Sequence, residues 1–156
     1  MNFLTRATSP QVDIGLTILR LATGAIFVAH GGQKLFVFGF AGVTGAFAQM
    51  GVPMPELMGP FVAMVEFFGG FALVAGLMTR LASIGLASTM IVAIVLVHLK
   101  SGFFAPNGIE FPLSLLASTL MLAITGAGRW SADALIGGHS RDTRVTAEPP
   151  RIRRAA

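Results

Sequence analysis

Four long apolar stretches divide this chain of 156 residues, and they constrain its fold more than any other feature of the sequence. They cover residues 14–38, 59–78, 81–99 and 111–128. Each is close to, or longer than, the stretch of about 20 helical residues that crosses the hydrocarbon core of a bilayer. Only 12% of the residues are charged, whereas soluble domains average about 25%. We therefore predict an all-α fold, an integral membrane four-helix bundle surrounded by lipid.

Positive charge accumulates on one side of the predicted bundle. Near the spans, the side opposite the termini holds only Lys34 and Lys100. The side that holds both termini has five arginines close to the spans: Arg6, Arg80, Arg129, Arg141 and Arg144. Cationic loops remain inside, so we expect cytoplasmic termini. Residues 1–13 then form a cytoplasmic segment, and residues 138–156 form a basic, disordered cytoplasmic tail.

The loop between the first two spans is too long to be a simple turn. Apolar residues recur at helical spacing from Val43 to Met50, and Gly51 and Pro53 end the pattern. The spacing predicts a short helix that lies in the outer interface and covers the bundle as a lid.

One face of the first predicted helix is polar. At about 100° per residue, Arg20, His30 and Lys34 fall within an arc of roughly 80°. This face is therefore expected to contact protein rather than lipid. Arg20 lies about 9 Å from the inner end of the span at a rise of 1.5 Å per residue. There it either snorkels to the membrane surface or helps to hold a ligand.

Glu66 is the strongest single signal in the sequence. It lies about 10 Å below the outer end of the second span, where an isolated carboxylate is costly. We expect Glu66 to be paired, hydrogen-bonded, protonated or adjacent to a wet cavity. Gly69 and Gly70 follow on the same helical face and admit a neighbouring helix or a ligand. Packing is the simpler of these two interpretations.

Titratable side chains share one depth in the outer third of the predicted bundle: His30, Lys34, Glu66, His98 and Glu110. Glu66 and the two histidines can transfer protons near neutral pH, so we assign them as the catalytic, proton-handling group. Arg20, Lys34 and Glu110 are assigned to ligand binding. The set fits a quinone or a small anion. A metal site of His and Glu ligands is one alternative, although the spacing matches no metal motif. A polar network that only fixes helix register is another.

Other features limit the chemistry. The chain has no cysteine, which excludes thiol redox reactions and thiolate metal ligands, so a redox role requires a borrowed cofactor. Its net charge of +4 is not arranged as a basic stripe with interleaved aromatic residues, so we expect no nucleic-acid partner. The segments "VAHGGQKLFVFG" and "LVHLKSGFF" echo each other at the outer ends of the first and third spans, as a parallel repeat would.

Several motifs, in this order and spacing, resemble the DoxX family of small four-helix membrane proteins. They are Arg20, "HGGQKLF", "VEFFGGFALVAGLMTR", the histidine ending the third span, "NGIEFP" and "GAGRWSADALIG", between about Ile14 and Gly137. The resemblance implies a multi-pass protein of the bacterial inner membrane that is associated with oxidoreductase assemblies. One mycobacterial relative is linked with a superoxide dismutase and a thiosulfate sulfurtransferase, and a related subunit belongs to a thiosulfate:quinone oxidoreductase. The resemblance to the family assigns no catalytic step to any residue.

The sequence thus leads to one main functional hypothesis and two alternatives. The main hypothesis is a membrane subunit of an oxidoreductase system that binds a quinone or a small anion near the outer face. The alternatives are a small-metabolite carrier and a ligand-free anchor that recruits soluble redox enzymes on the cytoplasmic side. A homo-oligomer is compatible with all three.

The predicted orientation can be tested by cysteine labelling, because the natural chain contains no cysteine. In intact cells, we expect a membrane-impermeant maleimide to label Asn107→Cys, which lies in the second outer loop. Ala147→Cys, in the cytoplasmic tail, should react only after permeabilisation. The reverse pattern of labelling would overturn the orientation.

Overall fold

The computed structural model describes residues 9–137, and this part of the chain is helical apart from short connections. Helix α1, Ser9–Gly32, continues through a π-helical segment, Gln33–Phe38, into α2, Gly39–Gln49. Helix α3 is Pro55–Ala75, and α4, Thr79–Ala93, continues as a second π-helical segment, Ile94–His98, and a 3₁₀ turn, Leu99–Ser101. Helix α5 is Glu110–Thr125, and a short helix, α6, covers 132–137. The predicted all-α fold class is confirmed, while residues 1–8 of the predicted N-terminal segment and the predicted tail at 138–156 lie outside the described residues.

Three helical runs in the described part of the chain are long and apolar enough to cross a membrane: Pro10–Gln49, Pro55–Ala75 and Thr79–Ser101. Helix α5 has 16 residues. It therefore extends for about 24 Å and is shorter than the hydrocarbon core of about 30 Å. The fourth predicted span is thus an apolar helix of less than full membrane length.

The helix predicted in the first outer loop is α2. Gly39 interrupts the helical path with φ 66° and ψ 169°, a backbone conformation that glycine adopts at little cost. Without this interruption, the run of 40 residues from Pro10 to Gln49 would extend for about 60 Å. Helix α2 instead packs on α3. Val43 is buried there, and Gly59 approaches the backbone of Thr44.

Glycines bring the backbones of α1 and α3 into close contact. A Cβ atom on Gly70 would lie 2.7 Å from the backbone nitrogen of Val28, and one on Gly31 would lie 2.4 Å from that of Phe67. Gly69 faces α4 instead, where its missing side chain leaves room for a leucine. Gly69 and Gly70, which follow Glu66, therefore both serve helix packing.

The remaining helices complete a closed bundle around a small apolar core. Helix α3 packs on α4, α4 packs on α5, and α5 contacts α1. The buried core consists of Leu16, Phe27, Leu73, Leu86, Met90, Leu115 and Leu122. Large apolar side chains such as Ile18, Phe68 and Ile124 are exposed on the outside of the bundle. In a protein with helices of this length, this exposed apolar surface faces lipid.

The glycine contact between α1 and α3 leads to a stability prediction. Gly70→Ala should destabilise the protein by about 1–3 kcal/mol, because a methyl group has no space against the backbone of α1. Gly15→Ala is the matched control, since no atom lies within 4 Å of a Cβ atom at Gly15. Unfolding in mixed micelles, followed by circular dichroism, measures both variants. Equal stability of the two variants would contradict the proposed close contact.

Candidate functional site

A partly buried ion pair lies between α3 and the π-helical segment that follows α1, near the outer end of the bundle, the end that holds Lys34, His98 and the loop at 102–109. Glu66 is only 3% exposed. Its Oε2 atom accepts a hydrogen bond from the Nζ atom of Lys34. Of the states expected for Glu66, the structure thus shows two, pairing with a cation and acceptance of a hydrogen bond. The pair offsets the desolvation that makes an isolated buried charge costly.

Both π-helical segments contribute residues to this region. Lys34 lies in the segment that follows α1, and His98 ends the segment that follows α4. The two segments overlap the echoing stretches of sequence at the ends of the first and third spans, the second of them only at residues 96–98. π-Helical turns inside longer helices are frequent at functional sites.

A cavity of about 270 Å³, which we call the outer cavity, lies beside the ion pair. Its walls come from α1, α3, α4, α5 and the second outer loop. They consist of Phe27, His30, Lys34, Glu66, Met90, Ala93, His98, Pro106, Phe111, Pro112 and Leu115. The structure therefore brings His30, Lys34, Glu66 and His98 together, as the common depth of these residues predicts.

The second outer loop orients His98. The Nδ1 atom of His98 lies 2.8 Å from the carbonyl oxygen of Asn107. Because a carbonyl oxygen only accepts hydrogen bonds, Nδ1 carries the proton in this contact. In the neutral imidazole, Nε2 is then the free acceptor and is available to a ligand.

His30 lies at the mouth of the outer cavity. Its ring centroid is 5.9 Å from that of Phe111, in a tilted arrangement. His30 also lines an open depression together with Ala29 and Gln33. It therefore connects the cavity with the exterior of the bundle.

Glu110 holds the loop rather than lining the outer cavity. Its Oε1 atom accepts a hydrogen bond of 2.8 Å from the backbone nitrogen of Ala105. The next two residues, Phe111 and Pro112, do line the cavity. Glu110 therefore directly precedes a wall residue in the sequence, and its side chain shapes the loop that covers the site.

A second cavity of about 160 Å³, the middle cavity, is also lined by the ion pair. It shares Lys34, Glu66, Ala93 and His98 with the outer cavity. Phe47, Met50 and Val52, from α2 and the segment after it, complete its wall. Sequence reasoning identified α2 as a lid but missed this cavity, although the apolar face of α2 was the signal available for it.

Arg20 lies apart from this cluster, at the inner end of the bundle. Its Nη1 atom donates hydrogen bonds to the carbonyl oxygens of Leu73 and Val74, at 3.1 and 3.0 Å, and its Nη2 atom donates to that of Trp130, at 2.7 Å. Lys34 is about 21 Å away along the helix axis. The guanidinium therefore joins α1 to the end of α3 and to the segment after α5.

Asp133 completes this inner network, which sequence reasoning did not identify. Its carboxylate accepts hydrogen bonds from the backbone nitrogens of Met78, at 2.7 Å, and Thr79, at 2.9 Å, at the start of α4. Burial by itself would raise the pKa of Asp133. The hydrogen bonds from Thr79 and Met78, together with the positive charge of Arg20, outweigh burial, so that the pKa lies below its ordinary value. The signal available in the sequence was an acidic residue close to the inner arginines.

The His and Glu side chains of the candidate site do not form a metal centre within residues 9–137. Among residues 9–137, no group of three or more His, Asp or Glu side chains is close enough to hold a metal ion. Pairing of Glu66 with Lys34 is consistent with this arrangement, because a nearby ammonium competes with a metal cation for the carboxylate.

A family model described as DoxX matches residues 15–99. The chain is 33% identical over 136 residues to "Putative oxidoreductase CatD" of Bacillus subtilis (strain 168), covering 86% of this chain and 96% of the relative. It is 34% identical over 127 residues to "Inner membrane protein YqjF" of Escherichia coli (strain K12), covering 80% and 93%. For "Uncharacterized membrane protein Rv3486" of Mycobacterium tuberculosis (strain ATCC 25618 / H37Rv), the identity is 32% over 126 residues, covering 74% and 77%. No solved structure gives a significant match.

The inner network leads to a prediction of pH dependence. Asp133→Ala should lose about 1 kcal/mol of stability at pH 7, because the start of α4 loses its cap. The folded-state pKa of Asp133 is lowered, so the stabilisation is complete above its ordinary pKa of about 3.9 and is lost as the pH falls through the lower folded value. Thermal unfolding in detergent should therefore show a difference between wild type and variant that shrinks below about pH 4. A difference that stays constant down to pH 2 would contradict this role.

Proposed function

The chain belongs to the DoxX family of membrane proteins, and from that premise we propose that it binds a quinone-like molecule in the outer cavity as a small subunit of an oxidoreductase system. It is a multi-pass protein of the bacterial inner membrane, like the relatives named as membrane proteins. The observation that carries the proposal is the ion pair of Lys34 and Glu66 in the wall of a cavity that His98 also lines.

The charges of the cavity wall favour a neutral ligand over a small anion. Glu66 balances the charge of Lys34, and an anion close to Lys34 would also lie close to the carboxylate. A neutral carbonyl oxygen meets no such repulsion. It can accept a hydrogen bond from the ammonium group, which has three donors and uses one for Glu66. A quinone head, with its two carbonyl oxygens, has this chemistry.

The cavity also suits a flat ring. Phe27 and Phe111 supply aromatic surface, and the polar side chains lie on one part of an otherwise apolar wall. A volume of about 270 Å³ is close to the lower end of the range of small-molecule sites, about 300–1,000 Å³. A bound quinone would supply reversible acceptance of two electrons and two protons.

The side chains around the cavity can supply and remove those protons. His98 is held through Nδ1 by Asn107, which leaves Nε2 to exchange a proton with the ligand. His30, at the mouth, exchanges protons with the outside of the bundle. Glu66 holds the ammonium of Lys34 in place and serves as a further proton acceptor. We therefore keep these three residues as the proton-handling group, while Lys34 binds the ligand.

Electrons would come from a partner protein. The chain has no cysteine, so that it lacks a thiol couple of its own. One relative carries the name of an oxidoreductase, which supports an association with redox proteins. We propose that soluble redox enzymes are the partners of this subunit.

Organic extraction and native mass spectrometry of the purified protein test this function. Wild type and the matched control Glu56→Gln, an exposed glutamate at the start of the same helix, should retain quinone. Glu66→Gln and His98→Ala should retain about 10-fold less, because the first removes the charge that holds the ammonium of Lys34 in place and the second removes a hydrogen-bonding imidazole from the wall.

A second comparison separates loss of the ligand from loss of the fold. Glu66→Gln leaves the partly buried ammonium of Lys34 without its carboxylate partner, and we expect it to lower thermal stability. The double variant Lys34→Met, Glu66→Gln should recover stability without recovering quinone. A wild-type protein that is purified empty and binds no added quinone would contradict the proposal. Metabolite uptake into vesicles that depends on Glu66 would then favour a carrier.

A further inference from the structure

A third cavity, which we call the groove, lies between α2, α3 and α4. It has a volume of about 250 Å³ and is almost entirely apolar. Its lining consists of Phe47, Val52, Met58, Phe61, Val62, Val65, Gly85, Ser88, Thr89 and Val92. Phe61 and Val92 are 55% and 44% exposed. Because exposed apolar side chains of these helices face lipid, the groove is open to the bilayer.

The groove adjoins the middle cavity. The two share Phe47, Val52, Val62, Thr89 and Val92. The middle cavity in turn shares the ion pair and His98 with the outer cavity. The three cavities therefore form a row that begins at the polar cluster and ends at the lipid-facing surface.

The two hydroxyl groups along the groove are satisfied by their own helix. Ser88 donates its hydroxyl proton to the carbonyl oxygen of Ile84, at 2.9 Å, and Thr89 donates to that of Leu86, at 2.8 Å. Neither hydroxyl therefore offers its proton to an occupant. The groove presents a surface suited to a hydrocarbon chain rather than to a polar group.

We propose that the groove holds the apolar tail of the ligand, whose neutral, carbonyl-bearing head lies next to Lys34 and Glu66. The ligand is then a long-tailed quinone that reaches its site sideways from the bilayer, between α3 and α4 and beneath α2. This inference rests on the proposed function and specifies the class of quinone that the site takes.

The position of the ion pair favours this ligand over a phospholipid. A phospholipid with its acyl chain in the groove would bring its phosphate towards the middle cavity, where the ion pair of Lys34 and Glu66 leaves no net positive charge to hold it. A neutral ring needs no such charge.

Two leucine substitutions test whether the groove holds the tail. A Cβ atom at Gly85 would lie 3.6 Å from its nearest neighbour, on Val65, which is an ordinary van der Waals contact, and Gly85 lines the groove, so that Gly85→Leu adds its side chain at the groove wall. Ser88→Leu obstructs the groove one helical turn closer to the middle cavity. Gly15→Leu is the matched control, because its side chain projects from α1 where no atom lies within 4 Å.

The probes are decylubiquinone and its tailless counterpart, ubiquinone-0, titrated calorimetrically into protein in the same micelles. Decylubiquinone should bind at least about 10-fold more weakly to Gly85→Leu and Ser88→Leu than to Gly15→Leu, because the tail loses its space. Ubiquinone-0 should bind all variants within about 2-fold, since the head site is unchanged.

The other outcomes separate this inference from the proposed function. Unchanged binding of both quinones in the groove variants overturns the tail site and leaves the head site intact. Absence of binding of either quinone to wild type overturns the proposed function and the tail site together. Co-purifying phospholipid that is lost in Gly85→Leu, with decylubiquinone affinity unchanged, assigns the groove to lipid and also overturns the inference.

Discussion

The close contact between α1 and α3 is the constraint on which the rest of the structure depends. Gly31 and Gly70 remove the side chains that would separate the two backbones. Helices that approach this closely bring the long side chain of Lys34 against the carboxylate of Glu66. In lipid there is little hydrophobic gain from helix association, so such close packing and buried polar contacts hold the bundle together.

Two cationic side chains hold the first helical run at two levels, Arg20 in the middle of α1 and Lys34 in the π-helical segment that follows it. Arg20 binds the carbonyl oxygens at the end of α3, and Lys34 binds Glu66 nearer the outer end. Together they fix the rotation of α1 about its axis. This rotation places His30 and Phe27 towards the outer cavity. The polar face of α1 therefore has a structural role at one end and a proposed ligand-binding role at the other.

Residues of the candidate site were predictable from the sequence where a shared depth in the membrane was enough to bring them together. His30, Lys34, Glu66 and His98 share one level and converge on one cavity. Arg20 shares the polar face of α1, but periodicity gives no information on which end of a neighbouring helix supplies its acceptors. Glu110 has the right depth, yet the nearby backbone nitrogen of Ala105 binds its carboxylate.

The sequence by itself determined the membrane class, the family, the apolar helices and the need of Glu66 for a partner, because hydrocarbon penalises each unsatisfied polar group locally. Only the tertiary structure decided which cation pairs with Glu66, how Asp133 caps α4 close to Arg20, and how the outer and middle cavities share the ion pair while the groove adjoins the middle cavity. These features depend on the distances between helices that are far apart in the chain. Such distances are set by packing of glycines and side chains between neighbours, which the periodicity of a single helix does not encode.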